Sequence, residues 1–189
     1  MEKQSATRRL VESALMIAIA TVLSTIKFGG LWAFGGGVTL CSMVPLVMVS
    51  FRWGWKWGGF TAFVYSLLQI LLGLDNVQYA TGFGMAVAIV LLDYVLAYTV
   101  VGFTSVFKNR FAKERLAIVV GVAVTLGLRL VCHFFSGWMI WDALWPNELG
   151  MASAVYSLWY NASYMLPEIV LTAGVCCLLI PWSEKALSK

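Results

Sequence analysis

Histidine occurs once in this chain, at position 133, and charged residues make up only 12% of its 189 residues, about half of what a soluble domain carries. A lone histidine, with no clustered carboxylates beside it, excludes a metal hydrolase. The poverty of charge, set against 61% hydrophobic residues, excludes a single water-soluble core. No G-x-x-x-x-G-K-[ST] run occurs, so the chain does not bind ATP in the P-loop manner. Ser136 follows His133 by three residues, but no orienting acid or nucleophile elbow accompanies it. The alternating strands of a membrane barrel are missing, because the apolar runs are continuous. The four cysteines, Cys41, Cys132, Cys176 and Cys177, lie in apolar segments without metal-ligand spacing and read as buried thiols. No pair of interrupted segments suggests the inverted repeats of secondary transporters. Energy for any uphill transport therefore comes more readily from a partner than from the chain.

What is present is an all-α integral membrane pattern. Apolar spans are expected at about 10–28, 38–51, 58–74, 83–107, 116–140 and 154–182, a single domain over 1–189. A signal peptide is rejected for the first span. Its small residues Ala14, Ala18, Thr21 and Thr25 recur at spacings that share one helical face. Such a face suits close approach to a helix of this chain or of another subunit. The 38–51 segment is short for a crossing, and Pro45 is placed to kink it. The glycine-rich stretch 29–37, with Trp32 and Phe34, is no helix interior and serves as a connector or an outer lid. Six crossings put both termini on one side. That side then receives 11 of the 13 basic residues, leaving only Lys27 and Arg129 elsewhere, so both termini are expected in the cytoplasm.

The stretch 129–161, RLVCHFFSGWMIWDALWPNELGMASAVYSLWYN, gathers His133, four of the nine tryptophans, Tyr156, Tyr160 and Asn161. Such aromatics form an interfacial belt in any membrane protein. Those aligned with the polar groups instead suit a pocket for a small, flat, polar ligand, since aromatic faces attract cations. Asp93, Arg129, His133 and Glu168 are ionisable groups within apolar spans, and such groups are functional candidates. The alternative for Arg129 and Glu168 is an internal ion pair, Arg129 with either Asp93 or Glu168. Asp93 and Tyr94 place a carboxylate beside a phenol. Trp141, eight residues after His133, falls near its face.

The order and spacing of VESALMIA, GGGVTLCSMVPLVMVSFRWGWKWG, LLDYVLAY, RLVCHFFSGWMIW and YSLWYNASYMLP resemble the thiamine-specific substrate-binding (S) components of energy-coupling factor (ECF) vitamin transporters of Gram-positive bacteria. The resemblance covers nearly the whole chain. It implies a non-enzymatic six-helix protein of the cell membrane that takes thiamine from outside with high affinity and carries no cofactor. It also implies a complex with a shared transmembrane subunit and two ATP-binding subunits. By the same resemblance, thiamine is bound by Asp93, Tyr94, His133, Trp141, Tyr156 and Asn161, with Trp32 and Tyr79 corresponding to a loop tryptophan and a tyrosine before the fourth helix. Ala14 and Ala18 correspond to the surface that docks the shared subunit. Some members carry glutamate where this chain has Asp93. An S component for another ring-containing vitamin or a thiamine precursor is the alternative. An intramembrane enzyme and a scaffold protein are the more distant readings. Asp93→Ala is expected to lose far more binding than Asp142→Ala.

Overall fold

The computed structural model describes residues 6–28 and 36–187, with side chains described through Ser183. The chain is mostly helical: α1 (Ala6–Thr25), a short antiparallel pair β1 (Lys27–Phe28) and β2 (Val38–Thr39), α2 (Val44–Trp53), α3 (Trp55–Leu72), α4 (Leu74–Val77), α5 (Phe83–Phe107), α6 (Glu114–Leu144) and α7 (Ser153–Leu187). Three helices, α5, α6 and the 153–183 stretch of α7, are long and apolar enough to cross a membrane. The chain is therefore a multi-pass membrane protein.

Only the later part of the expected 38–51 segment is helical. Val38–Thr39 is extended, Cys41 adopts a left-handed φ of 59°, and the helix begins only at Val44. Pro45 lies in its first turn, where a missing N–H costs nothing, so it starts the helix and does not kink it. At ten residues, α2 extends about 15 Å, half of a hydrocarbon core. It turns into α3 at Gly54, whose φ of 86° favours glycine. The expected 116–140 span runs on to Leu144, and the 58–74 span begins earlier, at Trp55.

The core lies where α2, α3, α5 and α6 meet, around Leu46, Val47, Tyr65, Val101, Ile118, Val122 and Leu126. Small residues let these backbones close on one another, as lipid-embedded helices require. Ser50 donates to the Gly102 carbonyl at 2.6 Å, and a Cβ on Gly102 would sit 2.7 Å from the Gly59 Cα.

The first helix packs inward through Ser13, Ile17 and Ala20, while Ala14 and Ala18 face outward. Its basic end is tied down by polar contacts. Arg52 donates to Glu12 at 2.9 Å, Trp57 donates to Ser13 Oγ at 2.8 Å, and Arg9 lies 3.9 Å over the Trp57 ring.

Candidate ligand-binding site

Asp93 sits in a π-helical segment of α5, Val90–Leu96. A π turn inside an α-helix often marks a functional position, because the widened turn re-aims a side chain. The Asp93 carboxylate faces α6 and collects three donors from it. Ser136 Oγ donates to Oδ2 at 2.7 Å, Trp141 Nε1 donates to Oδ2 at 2.9 Å, and His133 Nδ1 lies 3.2 Å from Oδ1. The Asp93 and His133 side chains are each only 14% exposed, so these bonds act where water competes weakly.

The alignment of His133 with Trp141 depends on a second π segment, Gly137–Trp141. In a regular α-helix, residues eight apart diverge by about 80°. One extra residue absorbed in a π turn removes about 100° of rotation and returns Trp141 to within about 20° of His133. The sequence expectation that the two share a face is met through this local rewinding.

A second hub is Asn161 on α7, 5% exposed. Its Nδ2 donates to the Ser157 carbonyl at 2.9 Å and to the His133 carbonyl at 3.2 Å, and its Oδ1 accepts Tyr164 OH at 2.6 Å. The helices are close here: a Cβ on Gly137 would lie 3.1 Å from Asn161 Nδ2. Asp93 thus joins α5 to α6, and Asn161 joins α6 to α7.

Between α6 and α7 opens a cleft lined by Gly137, Trp141, Asp142, Trp145, Tyr156, Ser157, Tyr160 and Asn161. Ser157 and Asn161 form its buried floor, whereas Trp145 is 37% exposed at its mouth. Trp141 stacks on Trp145 with centroids 5.7 Å apart and planes 10° apart, and Tyr79 meets Trp145 edge-on at 4.8 Å. Tyr160 OH accepts the Gly36 N–H at 3.2 Å, which brings the end of the glycine-rich stretch to the cleft wall.

Of the residues expected at a site, Asp93, His133 and Trp141 come together directly, and Trp141, Tyr156 and Asn161 share the cleft. Asp93 and His133 stand behind the Trp141 indole and do not line the cleft itself. Tyr79 reaches it through Trp145. Tyr94 points the other way: its OH donates to the Gly73 carbonyl at 3.0 Å and accepts Asn76 Nδ2 at 2.8 Å. Trp32 lies outside the described residues. Ser136, Ser157, Tyr160 and Trp145 are additions. Their spacing of three or four residues from His133, Asn161, Tyr156 and Trp141 was the available signal. Asp142, taken from the sequence as a remote comparison for Asp93, lines the cleft mouth.

The ion pair considered for Arg129 does not form among the described residues. Its guanidinium lies 4.6 Å over the Tyr98 ring, and its Nε has no hydrogen-bond partner there. Glu168 is occupied elsewhere, accepting the Thr39 N–H at 2.7 Å and Thr39 Oγ1 at 2.6 Å. No group of three or more potential metal ligands gathers among the described residues.

Long apolar helices around an aromatic cleft, backed by one carboxylate, place the chain among multi-pass membrane proteins that handle a small solute. Comparison with known proteins narrows this class. The chain belongs to the family described as thiamine transporter protein, whose model matches residues 10–188. It is 32% identical over 190 residues to thiamine transporter ThiT of Bacillus subtilis, covering 96% of this chain and 94% of that one. Its fold is also that of ThiT from Listeria monocytogenes, with a TM-score of 0.74 at 22% identity over 95% of this chain and 96% of the other. The family is one of transporters and not of enzymes.

Proposed function

We propose that this protein captures thiamine in the cleft between α6 and α7, as the substrate-binding component of an ECF transporter in a Gram-positive cell membrane. The observation that carries the reading is the Asp93 carboxylate, held among Ser136, His133 and Trp141 and backing the Trp141 wall of an aromatic cleft. Thiamine is flat, carries a permanent thiazolium charge and presents an aminopyrimidine edge. Trp141, Trp145, Tyr156 and Tyr160 supply ring faces, each cation–aromatic contact contributing about 0.5–2 kcal/mol. Asp93 accepts the ligand amino group in exchange for the Trp141 indole N–H, one donor replacing another on Oδ2. His133 and Asn161 complete the polar recognition, and Tyr79 and Trp32 belong to the same proposed set of ligand contacts.

The reading includes one membrane domain with six crossings and cytoplasmic termini, in which α1 to α3 complete what α5 to α7 begin. It also includes docking of a shared transmembrane subunit, which works with two ATP-binding subunits, on the outward Ala14 and Ala18 surface. Close backbone approach through small residues is the supporting physics.

The test is a tryptophan-fluorescence titration of purified protein with thiamine in detergent. Saturable quenching at nanomolar thiamine, weakened in Trp141→Phe and by at least about 100-fold in Asp93→Ala, is the expected result, the latter reflecting loss of about 3 kcal/mol of charged hydrogen bonding. Folded protein that gives no signal up to millimolar thiamine overturns the proposal. Saturation by another ring-containing vitamin instead moves the same cleft to a different ligand.

A further inference from the structure

The cleft has a chemical gradient along its depth. Its floor is amide and hydroxyl, Asn161 and Ser157, both buried. Its mouth carries a carboxylate, Asp142, next to the half-exposed Trp145. Asp142 is held in place: its Oδ1 accepts Asn147 N at 3.3 Å and Asn147 Nδ2 at 3.1 Å, and Ser153 also bonds the carboxylate. Asn147 in turn closes the loop, donating to the Met151 carbonyl at 2.9 Å and accepting the Met151 N–H at 3.1 Å. Among the described residues, no cation pairs with Asp142 within 4.0 Å. A fixed negative charge, without a paired cation among the described residues, therefore stands at the mouth of the cleft.

We propose that Asp142 is a specificity-determining residue that favours ligands with a neutral outer end over those with an anionic one. This rests on the function proposed above. With the aminopyrimidine at the polar floor, the hydroxyethyl arm of thiamine lies at the mouth. A phosphate ester on that arm places like charge against Asp142, whereas the free alcohol donates to it. The mouth is open to water, so the field is screened and discrimination is moderate, about three- to tenfold. Added salt shortens the range of the repulsion and narrows the difference.

The same carboxylate also clasps the loop, so the test must separate charge from clasp. Asp142→Asn keeps the carbonyl oxygen that accepts from Asn147 and removes the charge. Asp142→Ala removes both. Dissociation constants for thiamine and thiamine monophosphate are measured on full-length protein in detergent, at low and high salt, with thermal melting as the folding control. The expected result is that the preference for thiamine shrinks by about three- to tenfold in Asp142→Asn and in Asp142→Ala, and less at high salt. An unchanged preference in Asp142→Asn, or an equal loss for both ligands in Asp142→Ala alone, overturns the specificity role and leaves only the clasp. Folded wild-type protein that binds no thiamine overturns this proposal together with the function on which it rests. Normal thiamine binding with an unchanged preference overturns this proposal alone.

Discussion

Asp93 and Asn161 each satisfy several partners at once, and this sets what their removal does. Deleting the Asp93 carboxylate leaves Ser136 Oγ, Trp141 Nε1 and the His133 ring without their acceptor in a nearly dry site. Asp93→Ala should therefore lower stability by about 1–3 kcal/mol as well as binding. Thermal melting of the variant in detergent reads the first effect, and titration reads the second. Binding that falls only in proportion to the unfolded fraction would make Asp93 a structural hub alone. Tyr94 makes the opposite case. Its OH is engaged with Gly73 and Asn76, away from the Asp93 carboxylate, although the family resemblance assigns it to the ligand. Tyr94→Phe is expected to lower stability by about 1 kcal/mol and to leave thiamine affinity within about twofold. A tenfold loss of affinity at unchanged melting temperature would return Tyr94 to the site.

Close backbone crossings and a buried carboxylate clasp are among the devices that join the elements. Gly102 lets α5 lie against α3, and a methyl group there would meet the Gly59 Cα at 2.7 Å. Gly102→Ala is expected to cost about 1–3 kcal/mol through overpacking, read as a lower melting temperature, whereas Gly84→Ala, with open space at its Cβ position, should be near neutral. The clasp is Glu168 on α7, which holds both the backbone and the hydroxyl of Thr39 in β2. Since β2 follows Gly36, whose N–H donates to Tyr160 OH on the cleft wall, the clasp sets how the chain after the glycine-rich stretch sits on α7. Glu168→Ala leaves the buried Thr39 N–H unpaired. It should raise the dissociation rate of thiamine more than it changes the association rate, measured by stopped-flow fluorescence. Equal rates in the variant and the wild type would show that this strand does not influence the cleft.

At the scale of the molecule, the open question of topology has a direct readout. If the basic loop after α5 is cytoplasmic and the turn after α4 is outside, single cysteines at Asn109 and Thr81 in a chain without its four native cysteines must label from opposite sides. An impermeant thiol reagent on intact cells should modify Thr81→Cys and spare Asn109→Cys until the membrane is opened. Both positions labelling in intact cells would contradict the six-crossing arrangement. Basic residues carry the prediction, because their translocation is disfavoured. Helix length alone does not, since among the described residues three helices are long and apolar enough to cross by themselves.

The amino-acid sequence by itself determined the membrane class, the long helices and the identity of the principal polar residues. Continuous apolar runs leave few structures that satisfy backbone groups in lipid, and an ionisable residue in such a run stands out. The family, too, was legible in local runs such as LLDYVLAY and RLVCHFFSGWMIW. Only the tertiary structure decided how these residues are used. It turned Tyr94 away from Asp93, made Ser136 a donor to Asp93, set Arg129 over the Tyr98 ring, and gave Glu168 to Thr39. It also placed Asp142 at the cleft mouth and split the 38–51 run into a strand, a turn and a short helix. The physical reason is the same throughout. Spacing fixes a residue's direction only while the helix keeps its 3.6-residue period, and π turns, a left-handed residue and contacts between distant helices each change that direction without marking the apolar pattern.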